Sequence, residues 1–194
     1  MQINLMQAKN LSYILVDDMY SPEELAKIKA ELHKLKHHTE DPINTRVAMY
    51  NGVPQKNAKS VFLDDYYSDR SSSDILCLNR KLFCDELITK ATEFNQYFFT
   101  IGTCNFDRTL VNFYGAEEEY KRHRDSNCLT ALTFFSLGNI KGGDLEFTEV
   151  NEVVPFKENR TVIFSGCAEH AAKQTIAEPG NYRVSMAQFL NYRN

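Results

Sequence analysis

The spacing of apolar residues changes near residue 99, from a period typical of helices to a period of two typical of strands. Before this point, apolar residues recur every three or four positions in two segments, at 25–35 and roughly at 74–98. After it, short apolar segments alternate with turn residues up to the C-terminal region. The pattern therefore predicts helices first, followed by an antiparallel β-structure.

The first predicted helix has a clear start signal. Ser21 is suited to the N-cap, Pro22 fits the first helical position, and Glu24 completes a capping box. The apolar run Leu11–Val16, which precedes this signal, predicts a strand. The helix then continues with an apolar stripe at Leu25, Ile28, Leu32 and Leu35.

The segment that follows, residues 39–70, is polar and contains Asn51-Gly52 between strand-like residues, which predicts a tight hairpin. This segment can serve as a lid over a substrate, or it can be a disordered connection. A second helical region is predicted from Asp74 to Phe98. Its apolar stripe consists of Leu78, Leu82, Leu87, Ala91, Phe94 and Phe98.

Many short strands are predicted in the C-terminal half, separated by turn residues such as Gly142-Gly143 and Pro179-Gly180-Asn181. The predicted strands are Thr109–Tyr114, Tyr120–Asp125, Leu129–Leu137, Asp144–Phe147, Val153–Phe156, Thr161–Phe164, Ala171–Thr175 and Tyr182–Leu190. Such a series is typical of a sandwich or jelly roll. The strand Leu129–Leu137 is apolar on both faces, which indicates that helices cover the outside of its sheet.

Composition narrows the class of protein. A chain of 194 residues with 43% apolar residues fits one domain, and its net charge of −4 gives no general attraction to nucleic acid. The five cysteines are odd in number and form no CxxC, which favours a reducing compartment over a disulfide framework or a thiolate zinc site. Neither a signal peptide nor an apolar run of about 18 residues is evident. We therefore expect a cytoplasmic protein without a membrane segment; the sequence does not indicate its oligomeric state.

Candidate chemistry is concentrated at His123-Arg124-Asp125. On a strand, residues two apart share a face, so His123 and Asp125 can present an imidazole and a carboxylate side by side. His170 is the other histidine of the C-terminal half and is the candidate third ligand. Two imidazoles and one carboxylate suit Fe(II) and leave coordination positions open, whereas a structural zinc site fills all four. A His-x-Asp triplet is common by chance, and its alternative reading is a structural or surface histidine.

The order of motifs around this triplet resembles that of the Fe(II)/2-oxoglutarate dioxygenases, specifically their prolyl-4-hydroxylase-like branch. Tyr114 precedes the triplet, a Gly-Gly-acidic segment ending in Phe occupies Gly142–Phe147, and Arg183 lies on the last predicted strand after His170. The segment Ile14–Glu24 is also similar to the family's entry into its first support helix. The resemblance covers most of the chain, and residues 39–100 only loosely.

The resemblance implies an α+β fold, a double-stranded β-helix (jelly roll) with N-terminal support helices. It divides a single domain, 1–194, into a helical support and lid region at 1–98 and a jelly-roll core at 99–194. It implies Fe(II) bound by His123, Asp125 and His170, with 2-oxoglutarate as co-substrate, O₂, and ascorbate as an optional reductant. Arg183 would bind the far carboxylate of 2-oxoglutarate, where Ser185 and Tyr114 can donate further hydrogen bonds.

The activity that the resemblance implies is hydroxylation, with release of succinate and CO₂. The leading substrate is a prolyl residue of a protein or peptide, by analogy alone. The alternatives are a free amino acid or other small molecule, and a jelly-roll binding protein without catalysis. The chain departs from the family at Phe134-Phe135, where some relatives place a tyrosine that holds the co-substrate, and in a longer interval between His170 and Arg183. The sequence therefore leaves the second anchor of the co-substrate unassigned.

Overall fold

The chain begins with a β-hairpin in the computed structural model, which describes residues 1–193. Strand β1 (Gln2–Ala8) pairs antiparallel with β2 (Leu11–Asp17). The sequence predicts β2 but not β1. Strand β1 lies at the edge of its sheet and alternates polar with half-buried residues, so it has no apolar run.

Helix α1 (Pro22–Leu35) begins as predicted. The hydroxyl of Ser21 accepts a hydrogen bond from the Glu24 amide, and the Glu24 carboxylate accepts one from the Ser21 amide at 2.7 Å. This capping box satisfies two amides that the first turn leaves without helical partners. The buried face of the helix contains Ile28, Leu32 and Leu35.

The second helical region, predicted roughly from Asp74 to Phe98, is helical in several short segments. It consists of α3 (Asp74–Leu78), a 3₁₀ turn, and α4 (Asp85–Phe94), followed by another 3₁₀ turn. The backbone becomes extended at Cys84, which separates the two helices, and the buried Asn79 side chain at the end of α3 donates to Thr109 of the neighbouring sheet at 2.8 Å. The remaining helices and turns are α2 (Leu63–Tyr66), α5 (Thr100–Thr103) and the 3₁₀ turns Pro42–Asn44, Arg70–Ser72, Asn79–Phe83 and Gln96–Phe99.

The main sheet joins β1 and β2 to five further strands, which are β5 (Lys59–Phe62), β6 (Phe106–Tyr114), β8 (Leu129–Leu137), β12 (Thr161–Ser165) and β15 (Tyr182–Asn191). Its seven antiparallel strands lie in the order β1-β2-β12-β8-β15-β6-β5. Helices pack on its outer face, where Leu32 of α1 shares a core with Phe135 and Val184. The prediction that β8 is covered on both faces is therefore confirmed.

A second sheet of four short strands faces the main sheet in the order β11-β10-β13-β7. Its strands are β7 (Tyr120–His123), β10 (Leu145–Phe147), β11 (Glu152–Val154) and β13 (His170–Ala172). Phe134, Phe147 and Phe164 belong to the apolar core between the two sheets. This arrangement confirms the predicted jelly roll.

Two small strand pairs complete the fold: β9 (Ile140–Gly142) with β14 (Thr175–Ala177), and β3 (Met49–Tyr50) with β4 (Val53–Pro54). The predicted strand Ala171–Thr175 was wrong, since β13 and β14 belong to different sheets. The Asn51-Gly52 hairpin is confirmed, with φ of 49° and 77° as its tight turn requires.

The five cysteines are free thiols. Within residues 1–193, no helix has the length and apolar character needed to span a membrane. The division into a support region at 1–98 and a core at 99–194 stays a prediction; the main sheet takes β1, β2 and β5 from the first part.

Candidate active site

The three side chains predicted to bind a metal lie together. Strands β7 and β13 are neighbours, and their register places His123 opposite His170. One ligand atom from each histidine and one from Asp125 all lie within 4.8 Å of one another. Residues far apart in sequence thus form a compact set of two imidazoles and a carboxylate.

Asp125 reaches this cluster in a different way from the one predicted. Strand β7 ends at His123, so strand alternation does not position the carboxylate. Instead, the Asp125 amide donates to the carbonyl of Gly166 at 2.9 Å, and the Arg124 side chain bonds the carbonyl of Cys167 and the carboxylate of Glu149. These bonds tie the residues after β7 to the loop before β13 and to the connection between β10 and β11.

Both imidazoles present the same nitrogen to Asp125. The Nδ1 atoms lie 2.8 Å from the Lys121 carbonyl in His123 and 2.9 Å from the Ala168 carbonyl in His170. Because a carbonyl only accepts, each Nδ1 carries the proton and each Nε2 keeps a free lone pair. The two Nε2 atoms lie 3.8 and 3.7 Å from the Asp125 carboxylate, beyond a normal hydrogen bond.

Aromatic rings enclose the histidines. Tyr120 stacks on His123 with 3.5 Å between ring centroids, and Phe164 contacts the His170 ring edge to face at 4.8 Å. Burial lowers the pKa of His123 to about 3, and the neighbouring His170 contributes to this shift. His123 is therefore neutral at physiological pH, as metal binding requires.

Thr130 on β8 orients the carboxylate and was not identified from the sequence. Its hydroxyl donates to Asp125 Oδ2 at 2.6 Å and accepts from the side-chain Nδ2 of Asn127 at 3.0 Å. Such partners hold a ligand carboxylate in place and influence metal affinity. A threonine in an apolar strand gives no local signal of this role, because the contact depends on the loop that carries Asp125.

Arg183 lies in the same pocket and has an unusual environment. The residue is 1% exposed, and within residues 1–193 its three guanidinium nitrogens have no hydrogen-bond partner. Its guanidinium carbon lies 4.7 Å from the ring centroid of Tyr114 and 4.9 Å from that of Phe134. Burial lowers its pKa, although the side chain stays charged at physiological pH. A buried cation without an acceptor is costly unless an anion binds it.

Tyr114 and Ser185 line this pocket together with Arg183 and the three candidate metal ligands. Burial raises the pKa of Tyr114, so its phenol keeps its proton and can donate. Phe134 packs against the guanidinium and has no polar group, so it cannot replace the tyrosine found in some relatives. The donor set and the unsatisfied guanidinium thus fit a divalent ion at one part of the pocket and an anion at another.

Comparison with known proteins gave no match to any protein-family model or to any curated protein. Solved structures are similar over nearly the whole chain. A prolyl-4-hydroxylase from Pseudomonas putida is 15% identical, with a TM-score of 0.64 over 95% of each chain. A prolyl hydroxylase from Trichoplax adhaerens, in complex with a peptide fragment of the hypoxia inducible factor oxygen degradation domain, is 15% identical with a TM-score of 0.65, over 92% of this chain and 83% of that one.

A third similar structure is a non-heme α-ketoglutarate-dependent epimerase from nogalamycin biosynthesis. It is 13% identical, with a TM-score of 0.59 over 94% of this chain and 79% of that one. Similarity at this level of identity establishes the fold. The chain therefore has the jelly-roll fold of the prolyl-4-hydroxylases and related Fe(II)/2-oxoglutarate oxygenases.

Proposed function

We propose that this protein is an Fe(II)- and 2-oxoglutarate-dependent dioxygenase that hydroxylates its substrate and releases succinate and CO₂. The observation that carries the proposal is the placement of an unsatisfied, buried guanidinium, Arg183, in the same pocket as His123, Asp125 and His170. A metal-binding module alone does not require the cation, and an anion-binding module does not require the two imidazoles.

Each residue has a defined role in this proposal. His123 and His170 offer Nε2 lone pairs, and Asp125 offers a carboxylate that Thr130 orients. Arg183 binds the far carboxylate of 2-oxoglutarate with paired N–H donors, which fit a carboxylate's two oxygens. The bound iron, together with 2-oxoglutarate and O₂, supplies the oxidation of an unactivated C–H bond.

The side chains around the site separate its reacting part from water. Leu132 and Ala187 of the main sheet and Leu145 of the facing sheet line the same pocket and are buried. Tyr114 and Ser185 provide hydroxyl donors beside Arg183. Ascorbate, which would act as a reductant in solution, has no predicted site in this chain.

For the substrate we propose a prolyl residue of a protein or peptide. A cleft of about 370 Å³ opens beside Asp125 and is bounded by Tyr120, Arg108 and Phe189, so an extended chain has room to approach the metal ligands. The prolyl hydroxylases among the similar structures support this choice. The similar epimerase supports the second candidate, a small molecule. A cytoplasmic location remains a proposal based on the unpaired cysteines.

The test is formation of succinate from 2-oxoglutarate, with Fe(II) present and absent. We expect Fe(II)-dependent turnover in the wild type. Asp125→Ala should lose metal binding, whereas Arg183→Met should retain metal and lose 2-oxoglutarate binding. Asp41→Ala, an exposed carboxylate on a salt bridge with Lys59, is the matched control and should behave as wild type. Wild-type protein that neither turns over nor binds 2-oxoglutarate would leave the non-catalytic binding protein as the better reading.

The substrate class requires a separate experiment. Proline-containing peptides and free amino acids are incubated with the active enzyme and analysed by mass spectrometry for a gain of one oxygen. We expect hydroxylated peptide. Oxygen gain in small molecules with none in peptides would favour the second candidate.

A further inference from the structure

Lys56 is a second buried cation that the proposed function does not use. It lies between β4 and β5 and is 2% exposed, the one fully buried lysine among residues 1–193. Its ammonium donates to Ser60 Oγ at 2.6 Å and to Asn112 Oδ1 at 2.8 Å, both neutral acceptors. Within the described range, no carboxylate lies within salt-bridge distance of it. Burial lowers its pKa to about 7, and the two hydrogen bonds favour the charged form.

The hydrogen bonds around Lys56 form a chain with a defined direction. An ammonium can only donate, so Ser60 accepts from Lys56 and gives its own proton to Asn112 Oδ1 at 2.8 Å. Asn112 Oδ1 thus accepts hydrogen bonds from both Lys56 and Ser60. The Nδ2 group of the same amide therefore faces away from these two residues. That group donates to Ser185 Oγ at 3.1 Å.

The chain ends in the pocket of Arg183. Ser185 accepts from Asn112, so its own proton is available to an acceptor in the pocket, where the Tyr114 hydroxyl is its neighbour in the ligand-free protein. Residues 183 and 185 share a face of β15, and across the sheet Arg183 pairs with Tyr114 as Ser185 pairs with Asn112. Arg183, Ser185 and Asn112 all line the pocket, whereas Lys56 lies behind them.

We propose that Lys56 is a positioning residue for the dicarboxylate co-substrate: it fixes the direction of the chain through Ser60 and Asn112, so that the Ser185 hydroxyl donates to the carboxylate held by Arg183. This inference rests on the proposed function. It supplies the second anchor that Phe134 cannot provide. It also explains why the segment between the β3–β4 hairpin and β5 places the charged side chain of Lys56 in the protein interior.

A structural alternative must be separated from this role, because the segment around Lys56 is also tied to β7. The Asn57 side chain accepts from the Glu119 amide at 2.7 Å, and the Ala48 amide donates to the Tyr120 hydroxyl at 2.9 Å. Asn57→Ala is therefore the matched control, since it loosens the same segment without removing the cation.

The experiment measures ligand affinity calorimetrically, without O₂ and with Mn(II) in place of Fe(II). The ligands are 2-oxoglutarate and 2-oxovalerate, which has the same chelating end and no far carboxylate. Lys56→Met should weaken 2-oxoglutarate binding about tenfold or more, the usual effect of losing a hydrogen bond to a charged group, and leave 2-oxovalerate affinity nearly unchanged. Asn57→Ala should affect both ligands alike.

A double-mutant cycle tests whether Lys56 acts through Ser185. Lys56→Met combined with Ser185→Ala should bind 2-oxoglutarate no more weakly than Ser185→Ala alone. Equal losses for both ligands in Lys56→Met would assign Lys56 a structural role and overturn the inference. Wild-type affinity for both ligands in that variant would overturn it as well, whereas wild-type protein that does not bind 2-oxoglutarate would instead refute the proposed function.

If Lys56→Met does not fold, the wild type still provides a test. In Zn(II)-loaded protein labelled with ¹⁵N-lysine, the buried Lys56 ammonium is expected to give one slowly exchanging signal. Addition of 2-oxoglutarate should shift this signal, and 2-oxovalerate should shift it much less. Identical responses to the two ligands would contradict the proposal.

Discussion

Arg183 is a charged side chain that packs against aromatic rings, and its guanidinium makes no hydrogen bond to any residue that the structure describes. By contrast Arg160, also mostly buried, bonds the Asp17 carboxylate through two of its nitrogens. Burial of the Arg183 charge therefore destabilises the ligand-free protein, whereas the Asp17 carboxylate compensates for the burial of Arg160. At the scale of the residue, a site for an anion is therefore visible as a polar group that the fold leaves unsatisfied.

Replacing Arg183 should have opposite effects on the stability of the ligand-free protein and on its affinity for 2-oxoglutarate. We expect Arg183→Met to raise the unfolding free energy of the ligand-free protein by about 1–2 kcal/mol, since it removes a desolvated charge. The wild type should gain about 2.7 kcal/mol from 2-oxoglutarate at 100 times its Kd, and the variant should gain almost nothing. Denaturant unfolding with and without ligand measures both effects.

Arg160→Met is the control for this experiment. It should destabilise the protein, because it leaves Asp17 with a weaker set of partners, and should leave the gain from 2-oxoglutarate intact. An Arg183→Met protein that is strongly destabilised without ligand would contradict our account of that residue.

Thr130 allows a test of how the carboxylate is held. Thr130→Val removes the donor to Asp125 Oδ2 while keeping the side-chain volume, and should lower Mn(II) affinity about tenfold. Thr133→Val on the same strand removes a buried hydrogen bond to Thr161 that lies apart from the metal ligands. It should cost about 1 kcal/mol of stability and leave metal affinity unchanged. Equal metal affinities in the two variants would disprove the role of Thr130.

At the scale of elements, the β3–β4 hairpin directly follows residues 46–48, which line the cleft beside Asp125, and it carries exposed apolar side chains. Tyr50 is 68% exposed and Val53 is 60% exposed. Exposing two large apolar side chains to water on one hairpin is unfavourable unless a partner covers them. The residues around it are anchored, since Gln55 bonds Ala48 and Lys121 bonds Gln55 through the backbone. The hairpin is thus an ordered element with an apolar tip, as a lid over a peptide requires.

We expect Tyr50→Ala to weaken peptide binding about fivefold, as loss of an aromatic contact at an interface does, with 2-oxoglutarate affinity unchanged. Steady-state kinetics with a hydroxylated peptide, together with calorimetry of the co-substrate, measure the two quantities. Ile176→Ala is the control, because Ile176 is 65% exposed on β14 and does not line the cleft beside Asp125. The same peptide affinity in both variants would exclude a lid function for the hairpin.

At the scale of the whole molecule, distant parts of the chain are joined into one sheet. The N-terminal hairpin reaches the C-terminal half through β2, which pairs with β12. An ion-pair cluster reinforces this junction, in which Asp17 at the end of β2 bonds Arg160 and Lys157. The stability of the sheet should therefore depend on the charge of a single carboxylate.

Hydrogen bonds from Arg160 and then Lys157 hold the pKa of Asp17 below its ordinary value of 3.8. A lowered folded-state pKa contributes stability that is fully present above the unfolded value and is lost as pH falls through the folded value. Asp17→Asn should therefore lower the unfolding free energy by about 2 kcal/mol at pH 7. The difference from wild type should shrink in acid below about pH 4.

Urea unfolding between pH 7 and pH 2 measures this dependence. Asp41→Asn is the control, since the Asp41 side chain is 66% exposed and its ion pair is 3.4 Å long. Asp41→Asn should change the unfolding free energy little at any pH. If the unfolding free energies of Asp17→Asn and wild type differed by the same amount across this pH range, the charge of the Asp17 carboxylate would not be the source of the stabilisation.

Local features of the fold could be predicted from sequence because neighbouring residues encode them. The Ser21 capping box, the Asn51-Gly52 turn and the strand Leu129–Leu137 all occur as predicted, since each depends on contacts or backbone angles within a few residues. The grouping of His123, Asp125 and His170 was also predictable, because the C-terminal half contains only two histidines and one of them belongs to a His-x-Asp triplet.

The tertiary structure decided what depends on desolvation and on distant partners. Asp125 is positioned by the loop around Gly166, because β7 ends at His123 and does not extend to Asp125 as predicted. Packing between strands far apart in sequence buries Lys56 next to Asn112 and, in the part of the chain that the structure describes, leaves the Arg183 guanidinium without a hydrogen-bond partner. Sequence thus determined which chemical groups are present and where locally encoded elements such as α1 and β8 begin. Only the folded chain determined which of these groups lose water and are left to bind a ligand, because burial is a property of the whole assembly of strands.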